Sequence, residues 1–175
     1  ATGLPFQGDA GGMLSRLLNL LGWQRDSLRI HNVLSCQPPN DWFDERAPWY
    51  SAGMACPHLE PTLAERHPVV VPMGGTALKR VLGLQGHTKI LVHNFHGTVQ
   101  RDPTDRFWVV PTFHPSFLQR GATNLIGTVL ADLLLAERVA QRGWAPDPGA
   151  LIIDPPFPWF KAWVDVLIEA RRQDP

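Results

Sequence analysis

The chain has 175 residues, 44% of them apolar, which suits one domain with a sizeable core. It has no apolar run of the roughly 18 residues that a membrane span needs, and no charged-then-apolar leader, so the expectation is a cytoplasmic protein with no membrane partner. Its formal net charge is zero, which argues against a broad basic surface that binds DNA through phosphate neutralisation alone. A nucleic-acid site would have to be a local patch, drawn from Lys79, Arg80, Lys89, Arg101, Arg106 and Arg120.

In chain order, Ala10 to Leu21 carries Leu14, Leu17, Leu18 and Leu21 at helical spacing, and Gly22 sits where a left-handed residue closes a helix. Leu28 to Leu34 is a short β-rich run. Gln37 to Gly53, rich in Pro, Trp and Asp without a period, is a loop. Cys56 to Arg66 suits a helix, Pro68 to Met73 a buried strand, and Thr76 to Leu82 a helix ended by Gly83. Lys89 to His93 and Phe107 to Pro111 suit two further strands, and Thr123 to Gln141 a long amphipathic helix stopped by Gly143. Apolar strands alternating with helices predict an α/β fold, with a mostly parallel sheet covered on both faces. Functional loops then belong at the carboxyl ends of strands, where Asn32, Gly74 and His114 fall. Beyond about residue 143, Ala145 to Gly149 predicts a linker, and Leu151 to Asp154 with Trp159 to Arg171 a further strand and helix.

Four segments carry the chemistry: Gly3-Leu4-Pro5-Phe6-Gln7-Gly8-Asp9-Ala10-Gly11, Ile30-His31-Asn32-Val33-Leu34-Ser35-Cys36-Gln37-Pro38-Pro39-Asn40, Val69-Val70-Val71-Pro72-Met73-Gly74-Gly75-Thr76-Ala77-Leu78, and Thr112-Phe113-His114-Pro115-Ser116-Phe117-Leu118. In this order they resemble the uracil-DNA glycosylase superfamily, and within it the iron-sulfur, family 4-like enzymes, from about Gly3 to about Arg142. The resemblance implies a three-layer α/β/α domain over residues 1–143, with a mostly parallel four-stranded sheet. It also implies excision of uracil from DNA by hydrolysis of the N-glycosidic bond. In that family a glycine-rich segment that positions the attacking water, and two further cluster cysteines, precede the Pro-Phe motif. Neither occurs in these residues, so the chain resembles a piece of a larger replication or repair polypeptide.

A base inside a duplex is out of reach, so such an enzyme flips it into a pocket, stacks it on an aromatic ring and reads its edge. The resemblance makes Phe6 the stacking ring and Asn32 the reader, its amide offering one donor and one acceptor to O4 and N3–H of uracil. The resemblance likewise makes His114 the catalytic donor to the charge that develops on the departing base. Phe117, Leu118 and Gln119 would fill the gap left by the flipped base, and Ser116 and Arg120 would hold phosphates. Taken singly, Phe6 is an ordinary core ring, Asn32 a strand-end amide and His114 a turn cap; the matching context favours the pocket.

Cys36 and Cys56 are the only cysteines. Alone, such a pair reads as buried thiols; the resemblance makes them two of the four thiolates of a [4Fe–4S] cluster. The loop Asn40 to Tyr50 lacks the Arg-Arg-Ile-His run of covalently trapping relatives. Two alternatives stay open: an inactive glycosylase-fold module that binds DNA or acts as a scaffold, and a metal hydrolase built on His87, His93 and His96. No Gly-x-Ser-x-Gly or Gly-x4-Gly-Lys motif supports a nucleophilic hydrolase or a nucleotide binder.

Overall fold

The computed structural model describes residues 5–36, 38–41, 50–59, 63, 65, 67–84 and 91–145. Internal contacts divide the chain into Ala1–Trp144 and Ala145–Pro175, and the elements described belong to the first unit. The strand and helix expected at Leu151 to Asp154 and Trp159 to Arg171 lie outside the described residues.

Helix α1, Asp9–Leu20, buries Gly11, Leu14, Leu17 and Leu18, the face set out by its leucine spacing. It ends in a Schellman motif. Gly22 takes φ +71°, its N–H donates to Asn19 O at 3.1 Å, and the Trp23 N–H donates to Leu18 O at 2.9 Å. Helix α2, Tyr50–Met54, lies in the segment expected to be loop. One turn is too short for a period to register, and it is held by burial of Tyr50 and Met54, four residues apart, with Val33 packed against them. Of the helix expected at Cys56 to Arg66, Leu59 and Leu63 are buried in one apolar cluster.

The sheet has order β1-β3-β2, with β1 Val69–Val70, β2 Gln100–Arg101 and β3 Trp108–Val109. β1 runs parallel to β3 and β2 antiparallel to it. Among the described residues the sheet is therefore three-stranded and mixed, where four mostly parallel strands were expected. Leu28 to Leu34 follows a 3-10 turn at Arg25–Ser27 without joining the sheet, and Val92–Asn94 is a 3-10 turn rather than a strand end. β-rich composition marks what a strand tolerates, while the pairing edge that satisfies its backbone is a tertiary matter. β2 was not expected. It is made by the Asp102 turn, whose carboxylate accepts from the N–H groups of Thr104, Arg106 and Phe107 and from the Thr104 hydroxyl. Burial pushes the Asp102 carboxyl up, but those hydrogen bonds outweigh it and hold the pKa at about 2.

Parallel pairing continues past β1. Trp108, Val110 and Thr112 donate to Pro68, Val70 and Pro72 carbonyls at 3.0, 3.1 and 3.1 Å, and Gly74 N–H donates back to Thr112 O at 2.9 Å. The consecutive Val109 and Val110 are both fully buried, so both faces of this strand are covered. One apolar cluster joins Val109 to Leu78 and Leu82 of the segment containing helix α3, Gly75–Val81. The other joins Phe113 to Leu17 of α1, to Leu118 of α4, Pro115–Gln119, and to Val129 and Leu133 of α5, Ile126–Arg142. No helix among the described residues is long and apolar enough to cross a membrane.

Candidate active site

The site forms where the parallel pair ends. A parallel bridge sets Met73 beside Thr112, and just past it Gly74 lies against His114. Gly74 has φ +90°, and a Cβ there would stand 3.0 Å from His114 Cβ. A residue without a side chain is what lets the α3 entry turn lie against the histidine.

His114 is the N-cap of α4, with Pro115 in the first turn. Its Nδ1 accepts the Ser116 N–H at 3.2 Å and lies 2.8 Å from Ser116 Oγ. A backbone N–H can only donate, so Nδ1 is the acceptor nitrogen and the proton of the neutral ring sits on Nε2. Burial lowers the His114 pKa, and the Arg120 charge lowers it further, so the imidazole is neutral at pH 7. The turn-capping role and the expected catalytic role are thus compatible: capping occupies one nitrogen and leaves the other as an N–H donor.

Phe6 stacks on the His114 ring, centroids 5.5 Å apart and planes inclined by 28°. Two expected pocket residues, far apart in sequence, are therefore brought into contact. Asn32 is exposed, and no hydrogen bond joins its side chain to Phe6 or His114; the neighbouring His31 Nδ1 lies 2.6 Å from Asn32 O. Ser116, expected at a phosphate, has its Oγ at the imidazole of His114. Phe117 is 43% exposed and stacks on Phe113 at 5.9 Å. Leu118 is fully buried in the second core cluster, which removes it from the set able to enter a duplex: its volume fills the space beneath α4. Gln119 is exposed and donates to Asp9 O at 2.6 Å, tying α4 to α1. Arg120 is exposed at the end of α4.

The other cations divide. Lys79 is buried, Arg101 lies 3.8 Å over the Trp108 ring and pairs with Asp105 at 3.0 Å, and Arg106 pairs with Asp102 at 3.3 Å. Three features went unforeseen: the Gly74 approach, an Arg25 contact with the Phe6 loop, and a Thr112 hydrogen bond to Asp132. A signal existed for the last, because Asp132 interrupts the apolar stripe Val129, Leu133, Ala136.

Cys36 is exposed and Cys56 buried, both as free thiols. A cubane cluster takes four thiolates, and no group of three or more metal-ligating side chains occurs among the described residues. These residues alone do not fit a complete cluster. Of the histidine set considered for a metal, His87 lies outside the described residues, His93 is exposed, and His96 has its Nδ1 3.9 Å from Asp132 and its ring against Phe113.

Comparison with known proteins bears on this geometry. The Type-4 uracil-DNA glycosylase of Thermotoga maritima is 34% identical over 149 residues, 81% of this chain and 71% of that protein. That of Sulfurisphaera tokodaii is 30% identical over 119 residues, 65% of this chain, which spans 52% of that relative's length. That of Archaeoglobus fulgidus is 46% identical over 39 residues, 22% of this chain and 20% of that protein. The family profile of the Uracil DNA glycosylase superfamily matches residues 1–134, and the chain belongs to that superfamily.

Proposed function

We propose that this chain excises uracil from DNA by hydrolysing the N-glycosidic bond of a flipped nucleotide. The observation that carries the proposal is the neutral His114, its Nδ1 occupied by the Ser116 N–H and its face against Phe6. As the bond between C1′ and N1 of uracil breaks, the electron pair leaves with the base and charge gathers on O2. An Nε2–H donor aimed there is worth roughly 3 kcal/mol of transition-state stabilisation. Water adds to C1′, and the products are an abasic site and free uracil.

Phe6 stacks the flipped base. Asn32, at the surface, reads O4 and N3–H. The exposed Phe117 fills the gap in the duplex, Gln119 lies at its edge, and Arg120 holds a phosphate. The same proposal places the protein in the cytoplasm with DNA as its partner. It also places the described strands within a three-layer, mostly parallel four-stranded sheet, and makes Cys36 and Cys56 ligands of an iron-sulfur cluster. Sequence resemblance supports these last three; iron content of the protein and its loss in Cys36→Ser test the ligands.

The deciding experiment is single-turnover cleavage of a uracil-containing oligonucleotide. The parent protein should cleave it, and His114→Ala should fall by about a hundredfold or more with the fold intact. A parent that binds the oligonucleotide and leaves uracil in place would favour the non-catalytic module instead.

A further inference from the structure

Phe6 is one of three non-glycine residues described with positive φ, at +54°. A bulky residue persists there only when its surroundings over-determine it. Two features do so. The first is Gly11: a Cβ there would stand 1.7 Å from Phe6 O, so the carbonyl is pressed onto the first turn of α1. The second is Arg25, half-buried in the 3-10 turn that follows the Schellman end of α1. Its Nη2 donates to Pro5 O at 2.9 Å and Phe6 O at 3.2 Å, and its Nη1 to Ser15 Oγ at 3.4 Å. One guanidinium thus spans both carbonyls of the loop and the flank of the helix, a pattern that a planar fork of donors can satisfy and a single ammonium cannot.

We infer that Arg25 is a positioning residue for base recognition, holding the Pro5-Phe6 loop so that the Phe6 ring lies against His114 and presents its face to the flipped base. The inference rests on the glycosylase reading for its catalytic consequence, and on the loop geometry alone for its structural one. The loop has no regular element of its own to fix it. Chain reversal at Gly22 returns Arg25 alongside α1, which explains how a residue so distant in sequence reaches the Phe6 carbonyl.

Two measurements test it. In a double-mutant cycle on single-turnover uracil cleavage, Arg25→Ala should lower the rate at least tenfold and Arg25→Lys should restore only part of it. In the Phe6→Ala background the same Arg25→Ala change should alter the rate less than about twofold. Equal losses in both backgrounds would make Arg25 a merely structural residue and overturn the inference, as would a parent-like rate in Arg25→Lys, the variant that decides the matter if Arg25→Ala does not fold. The second measurement needs no substrate: the His114 imidazole proton resonances, shifted by the Phe6 ring current, should move in Arg25→Lys toward their positions in Phe6→Ala. Unmoved resonances would also overturn it. A parent protein that cleaves no uracil would sink the functional reading, and the resonances would still decide whether Arg25 sets the ring.

Discussion

The Thr112 hydroxyl donates to Asp132 Oδ2 at 2.7 Å, with both residues buried, and so fastens the middle of α5 to the end of the β3 segment two positions before His114. Burial raises the Asp132 pKa, against the opposing pull of Thr112, of the His96 charge and of the Gly97 backbone. A histidine proposed to act at a strand end needs that end held, and here a side-chain pair holds it from the helix layer.

Asp132→Ala should cost about 1–3 kcal/mol, because it strands the Thr112 hydroxyl without an acceptor. Asp132→Asn keeps an acceptor and removes a buried charge, so it should melt at or above the parent temperature at pH 7. The sign follows from linkage. A carboxyl raised in the fold favours the native state below its unfolded pKa of about 3.9, and that contribution is lost as pH rises through the folded value. Asp102 behaves oppositely: lowered to about 2, it stabilises above about pH 4 and loses that contribution as pH falls toward 2. Thermal melts from pH 2 to 8 check both, and an Asn variant as damaged at pH 7 as the Ala variant would defeat the Asp132 account.

Phe117 and Leu118 are neighbours with different expected phenotypes. Leu118→Ala should cost about 2–5 kcal/mol of stability, as deletion of a fully buried leucine does. Phe117→Ala should melt near the parent and lose more cleavage on duplex than on single-stranded uracil DNA, since only the duplex leaves a gap to fill. Equal losses on both substrates would remove Phe117 from the wedge role.

Asn32→Asp should cleave uracil more slowly than the parent, because a carboxylate presents only acceptors where uracil O4 requires a donor. The expected loss is about tenfold or more, the cost of leaving one buried polar pair mismatched at about 1–3 kcal/mol. Parent-like cleavage by the variant would take edge reading away from Asn32.

Read singly, the sequence determines α1, α3 and α5, because leucine spacing and a following glycine, Gly22, Gly83 and Gly143, are local properties that hold wherever the helix packs. Pro68 to Met73 and Phe107 to Pro111 are legible for the same reason, as apolar runs between breakers, and His114 and Phe6 are legible through their motifs. The sequence does not say that Gly74 lies against His114, that Arg25 caps the Phe6 carbonyl, that Asp132 holds Thr112, or that Leu118 is spent in the core while Phe117 is not. Each of those depends on which strand pairs with which, in what register, and on which face a helix is turned. They are contacts between segments distant in the chain, and only tertiary packing, which trades backbone pairing against burial over the whole domain, decides them.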